Sequence, residues 1–72
     1  MEISGTITYQ DLEGGFWGIL ASDGGKFVPI EPMPADFRVD GLSIYATLEK
    51  AQVLGTAMWG TYVRILDIKK AD

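Results

Sequence analysis

The first candidates in this sequence for acid–base chemistry or for holding a metal are carboxylates, because the chain contains neither histidine nor cysteine. It therefore lacks the imidazole and thiolate groups that bind zinc, and the imidazole that most often serves as a general base. Two carboxylates across a cleft could do glycosidase-type work, and several together could hold Ca²⁺. Six carboxylates lie in predicted loops: Asp11, Glu13, Asp23, Glu31, Asp36 and Asp40.

The spacing of these carboxylates matches no recognised ligand run. Asp23 and Asp40 each precede a glycine, which is typical of turns. The glycine pairs at 14–15 and 24–25 lack the helix start, lysine and hydroxyl residue of a phosphate-binding loop, and are also predicted to be turns. We therefore predict no catalytic residue, no metal site and no cofactor.

Trp59 ends an apolar segment, residues 51–59 (AQVLGTAMW), between the last two predicted strands. Loops usually run over the surface and are polar, so these apolar side chains need burial. The segment could plug the mouth of a barrel, extend the two strands into a long hairpin that turns near Gly55, or meet a partner chain. In the third case Met58 and Trp59 are the predicted contact residues.

Two further binding hypotheses come from single side chains. Phe16 and Trp17 are adjacent and point to opposite faces of a strand. One of the two, with Tyr45 or Phe27, could form a platform on which bases stack, and Trp17 with Tyr45 is the predicted pair. Arg64 is either a solvated charge or the cationic part of a site for a small anion or a peptide.

Alternation of apolar and polar residues predicts five strands, over residues 3–9, 16–22, 26–30, 42–49 and 60–69. Pro29 indicates that the third strand is an edge at that point or is already ending. The crossover at 31–40 contains two prolines and allows one helical turn at 35–37, with Phe37 as its apolar anchor. The apolar phase changes at Ile65 and Leu66, which predicts a β-bulge there.

These elements predict an all-β fold, a small five-stranded barrel like the oligonucleotide- and oligosaccharide-binding (OB) fold, with a short helical turn between strands three and four. An SH3-like barrel is the nearest alternative, but the position of the crossover favours the OB fold. The predicted core consists of Ile3, Ile7, Ile19 or Leu20, Phe27, Leu42, Ile44, Leu48, Val63 and Ile65.

Size and charge restrict the function. At 72 residues the chain is predicted to be one domain, 1–72, since neither half could build a core alone. The net charge of −4 disfavours nucleic acid, whose affinity comes mainly from lysine and arginine. The first ten residues have no basic region followed by an apolar run, and no segment is long enough to span a membrane, so we predict a cytoplasmic location.

Four segments, DLEGGFWGI, DGG, FRVDGL and MWGTYVRIL, occur in this order. In combination they resemble a group of small uncharacterised bacterial and archaeal proteins with an OB-like barrel, over residues 5–68. The resemblance implies a fold and assigns no functional residue.

The predicted function is a non-enzymatic binding module that contacts a protein partner, with self-association through residues 51–59 as one form of that contact. The alternative is a barrel that binds single-stranded nucleic acid or an oligosaccharide. The predicted binding residues are Trp17, Tyr45, Met58, Trp59 and Arg64.

Overall fold

A computed structural model describes residues 1–12, 14–52 and 59–71 of the chain. Within them the backbone forms five strands and one 3-10 turn, which lies between β3 and β4. Their bounds are β1 Glu2–Gln10, β2 Phe16–Ala21, β3 Lys26–Pro29, the 3-10 turn Ala35–Phe37, β4 Ser43–Lys50 and β5 Thr61–Lys70.

The strands close into a barrel in the order β1-β2-β3-β5-β4. Strands β3 and β5 are parallel, and the other neighbours are antiparallel. This is the connectivity of the OB barrel, with the helix between β3 and β4 reduced to one 3-10 turn. The all-β, OB-like prediction is confirmed.

Five aliphatic side chains are completely buried inside the barrel. They are Ile7, Ile19, Ile44, Leu48 and Val63, and the sequence predicted them, with Ile19 as one of two alternatives. Ile3, Phe27, Leu42 and Ile65 were also predicted, and they pack against this cluster while keeping some solvent contact. In β2 the sequence left Ile19 and Leu20 as alternative core residues. Ile19 faces inward, and Leu20 is 38% exposed.

The crossover differs from the prediction in its anchor. Met33, which precedes the 3-10 turn, is only 4% exposed and belongs to the core cluster, whereas Phe37 is partly buried and packs against that cluster. A long unbranched side chain can fill an irregular gap that a rigid ring cannot enter. The predicted anchor Phe37 is therefore secondary to Met33.

The end of the crossover is fixed to β1 by hydrogen bonds. Asp40 Oδ1 accepts a bond of 2.9 Å from the Tyr9 amide, and the Gly41 amide donates to the Ile7 carbonyl at 2.7 Å. Gly41 has a φ of 88°, a conformation that side chains with a Cβ rarely adopt. Asp40 therefore serves the turn, as its position before a glycine predicted.

The predicted bulge in β5 is present. Thr47 of β4 lies opposite Asp67, but the next residue, Leu48, lies opposite Ile65, so Leu66 is the extra residue. Leu66 is 57% exposed, while Ile65 and Ile68 on either side of it both pack against the core. The bulge thus explains why the apolar phase changes in this strand.

Candidate functional site

Trp59 lies on the outer face of β2. Ile19 and Ala21 face the barrel interior, so the alternation of the strand places Phe16 and Gly18 outside. A Cβ added to Gly18 would lie 2.6 Å from Cζ3 and 3.0 Å from Cη2 of Trp59, so the indole rests on the glycine backbone. The absent side chain of Gly18 makes room for Trp59.

Two other side chains complete this surface. The rings of Phe16 and Trp59 meet edge to face, with centroids 5.9 Å apart and planes at 64°. Lys26, at the start of β3, places its Nζ 5.6 Å from the centroid of the Trp59 ring. We call Phe16, Gly18, Lys26 and Trp59 the Trp59 face.

The backbone that carries the indole is held close to β3. A Cβ added to Gly60 would lie 2.7 Å from the carbonyl carbon of Lys26, so the chain after Trp59 lies directly beside that strand. The indole itself contacts the β2 backbone at Gly18 and the ring of Phe16. Trp59 is half-buried as a result and keeps part of its surface for contact.

Trp17 has a different environment. It is half-buried and packs against the core cluster, and its ring lies 5.0 Å from that of Tyr9 in an edge-to-face arrangement. Tyr9 rests in turn on Gly15, where an added Cβ would lie 2.8 Å from Tyr9 Cζ. Trp17 is therefore mainly a packing residue at the end of the barrel near the β1–β2 loop.

The structure does not bring Trp17 and Tyr45 together. Tyr45 is 51% exposed on β4, where it lies opposite Ser4 of β1 and Lys69 of β5. Phe27, the other suggested partner, packs against the core. The predicted platform of Trp17 and Tyr45 is therefore not formed, and the aromatic pair on the outer face is Phe16 with Trp59.

Arg64 is exposed on β5 and lies opposite Glu49 of β4, away from the Trp59 face. Met58 lies outside the described residues, as does Glu13. Of the apolar segment 51–59, the structure describes Ala51, Gln52 and Trp59.

The polar groups of the described residues are arranged as follows. No buried residue among them is polar or charged, and no buried side-chain nitrogen or oxygen lacks a hydrogen-bond partner. In the same ranges no three carboxylates come together as a metal site would require. Asp23 Oδ1 accepts a 2.9 Å bond from the Gly25 amide and so serves its turn.

Comparison of the chain with protein-family models, curated proteins and solved structures gives no match. The resemblance to small OB-like proteins stays a prediction. Within the described ranges, no helix is long and apolar enough to cross a membrane.

Sequence reasoning identified Trp59 but missed Phe16 and Lys26 as its neighbours. A signal for the first was available, because Phe16 and Gly18 share one face of a strand and a glycine inside a strand often marks a close approach. Lys26 gave no signal, since a single lysine at the start of a strand is ordinarily a solvated charge.

Proposed function

We propose that this domain is a non-enzymatic binding module that contacts a protein partner through the Trp59 face. The observation that carries the proposal is the contact of the Trp59 indole with Gly18, beside Phe16 and Lys26, on the outside of the barrel. Tryptophan is among the residue types that contribute most to protein interfaces.

The position of this face within the fold supports a binding role. OB barrels bind their ligands on the face of strands two and three, between the β1–β2 and β4–β5 loops. Phe16 and Gly18 belong to β2, Lys26 belongs to β3, and Trp59 ends the β4–β5 connection. An aromatic ring already held in place loses little conformational freedom on binding, which favours affinity.

The charge balance favours a protein partner over a polyanion. Six lysines and arginines stand against ten carboxylates, and Lys26 is the cation on this face. Apolar side chains are also exposed at the adjacent end of the barrel, where Tyr9 lies opposite Trp17 and Leu12 follows in the loop. Aromatic and aliphatic contacts with few charges are typical of the centre of a protein interface.

The test is selection of a random-peptide phage library on the intact chain, with counter-selection on Trp59→Ser. We expect the enriched peptides to bind the unmodified protein and to lose at least about tenfold in affinity on Trp59→Ser, because a buried tryptophan anchor contributes that much or more. Lys26→Gln serves as a second, milder variant, and sedimentation of the unmodified chain shows whether a second copy is itself the partner.

Tyr45→Ser is the control, since it removes an aromatic ring that is 51% exposed from another face. Thermal unfolding of each variant shows that it is folded. The proposal is wrong if no peptide is enriched, or if the enriched peptides bind Trp59→Ser as well as Tyr45→Ser.

The second candidate is a barrel for single-stranded nucleic acid or an oligosaccharide. The position of Lys26 beside the Trp59 indole, on the surface of strands β2 and β3, favours this candidate. OB barrels that bind such ligands combine stacking rings with cations on that surface. Fluorescence of Trp59 in a Trp17→Phe background, titrated with oligothymidylate and with oligosaccharides at low salt, is the test. A saturable change supports this candidate, and no change with either ligand rejects it.

A further inference from the structure

The two edges of β2 are paired to different extents. On one edge, β1 pairs with β2 along its whole length, as far as Gln10 opposite Phe16. On the other edge, the register pairs with β3 are Ile19 with Phe27 and Leu20 with Lys26. The first half of β2 therefore extends beyond its ladder with β3.

Pro29 explains why the ladder with β3 is short. Continued by two residues, the β2–β3 register places Trp17 opposite Pro29. The Ala21 amide donates to the Gly25 carbonyl at 2.7 Å, so the backbone groups of Ala21 point toward β3. Because the direction alternates along a strand, those of Ile19 and Trp17 point the same way. Proline has no N–H to donate, so it cannot satisfy the Trp17 carbonyl.

An open groove of about 470 Å³ lies at this position. This volume is within the range of ligand pockets in general. Most of the residues in its walls are apolar, and they come from the start of β2, from the end of β3 and the chain that follows it, and from Arg38 after the 3-10 turn. The lining residues are Phe16, Trp17, Pro29, Ile30, Glu31, Pro32, Met33 and Arg38.

Arg38 is held in the wall of the groove. Its Nε donates a 2.7 Å hydrogen bond to the Met33 carbonyl, while the residue as a whole is exposed. A guanidinium has five N–H donors, so four remain for a ligand in a planar arrangement that suits a carboxylate. Met33 is itself buried in the core, which fixes the carbonyl that orients Arg38.

We propose that this groove binds an extended peptide segment that adds to the half of the β2 edge beyond its ladder with β3 and places an acidic side chain against Arg38. Peptides commonly bind to the edge of a sheet in this way, with backbone bonds giving affinity and side-chain pockets giving specificity. One arginine, with Glu31 as the other charged residue of the lining, suits a single carboxylate better than a chain of phosphates, which needs several cations.

The inference rests on the proposed function, a module that binds proteins, and specifies one kind of segment that it binds. The groove and the Trp59 face have only Phe16 in common. Variants of Trp59 and of Arg38 therefore test the two proposals separately.

The experiment adds the intact chain to fluorescent, end-blocked peptides of alternating valine and threonine and measures their fluorescence anisotropy. Each peptide carries one glutamate, and its position shifts by one residue from one peptide to the next. We expect at least one of them to bind and its glutamine analogue to bind at least about tenfold more weakly, as charge-assisted hydrogen bonds require. Arg38→Gln should cause a similar loss with the glutamate peptide and little further loss with the glutamine analogue.

Arg64→Gln is the matched control, because Arg64 is also exposed but lies on β5 outside the groove. Arg38→Lys, which keeps the charge without the planar donor set, should give an intermediate affinity. Methylation of alternate backbone nitrogens of the peptide should also abolish binding, since pairing with the Trp17 carbonyl needs a donor.

The inference is overturned if no glutamate peptide binds better than its glutamine analogue, or if Arg38→Gln and Arg64→Gln behave alike. Trp59→Ser separates this result from the proposed function. Glutamate-dependent binding that survives Trp59→Ser supports the groove even where the peptides selected on the Trp59 face fail.

Discussion

Leu48→Ala is expected to lower the free energy of unfolding by about 2–5 kcal/mol, the range for removing a fully buried leucine side chain. Leu48 has no solvent exposure and lies in β4 opposite Ile65 of β5, inside the barrel. A domain of this size has a net stability of only about a few kcal/mol, so the loss caused by one cavity is comparable to the whole net stability. We expect the variant to be largely unfolded in water.

Urea unfolding followed by far-UV circular dichroism measures this effect. Leu66→Ala is the matched control, since it removes the same atoms from the exposed position of the bulge and should change stability by less than about 0.5 kcal/mol. Equal effects of the two substitutions would contradict the placement of Leu48 inside the barrel and Leu66 outside it.

Gly5→Ala is expected to destabilise the barrel by about 1–3 kcal/mol or more, the cost of forcing extra atoms into a packed structure. Gly5 lies in β1 between Ala21 of β2 and Ile44 of β4. An added Cβ would lie 2.9 Å from the Ala21 Cα, and it would also collide with the Leu20 carbonyl. These are backbone atoms, so the two strands would have to separate.

The same urea experiment tests Gly5→Ala, with Glu2→Ala as the control on an exposed position of the same strand. A urea unfolding curve for Gly5→Ala that coincides with that of the unmodified protein would show that β1 and β2 do not approach as closely as described.

The fold was predictable because local signals agreed with one another. Alternation in β4 put Ile44, Ala46 and Leu48 on one face, and all three are buried. Glycines marked the turns, and the change of phase at Leu66 marked the bulge. Met33 was not predicted, because an apolar residue among prolines has no periodicity to indicate burial.

The candidate site was predictable only in part. Trp59 was identified from an apolar segment that needed burial, but its partner Gly18 lies in a distant strand, and no local pattern connects the two. Tyr45 and Trp17 were paired because both are aromatic, whereas strand alternation and register place them on different surfaces. Pro29 lines the groove, and the sequence indicated only that β3 is an edge or already ending at that residue.

The most direct test of the Trp59 face is a map of backbone amide chemical shifts as a selected peptide is added to the isotopically labelled chain. We expect the largest changes in β2 and β3 and at the Trp59 indole N–H, with Tyr45 and its neighbours on β4 unchanged. Changes centred on Tyr45, with the Trp59 indole unaffected, would contradict the proposal.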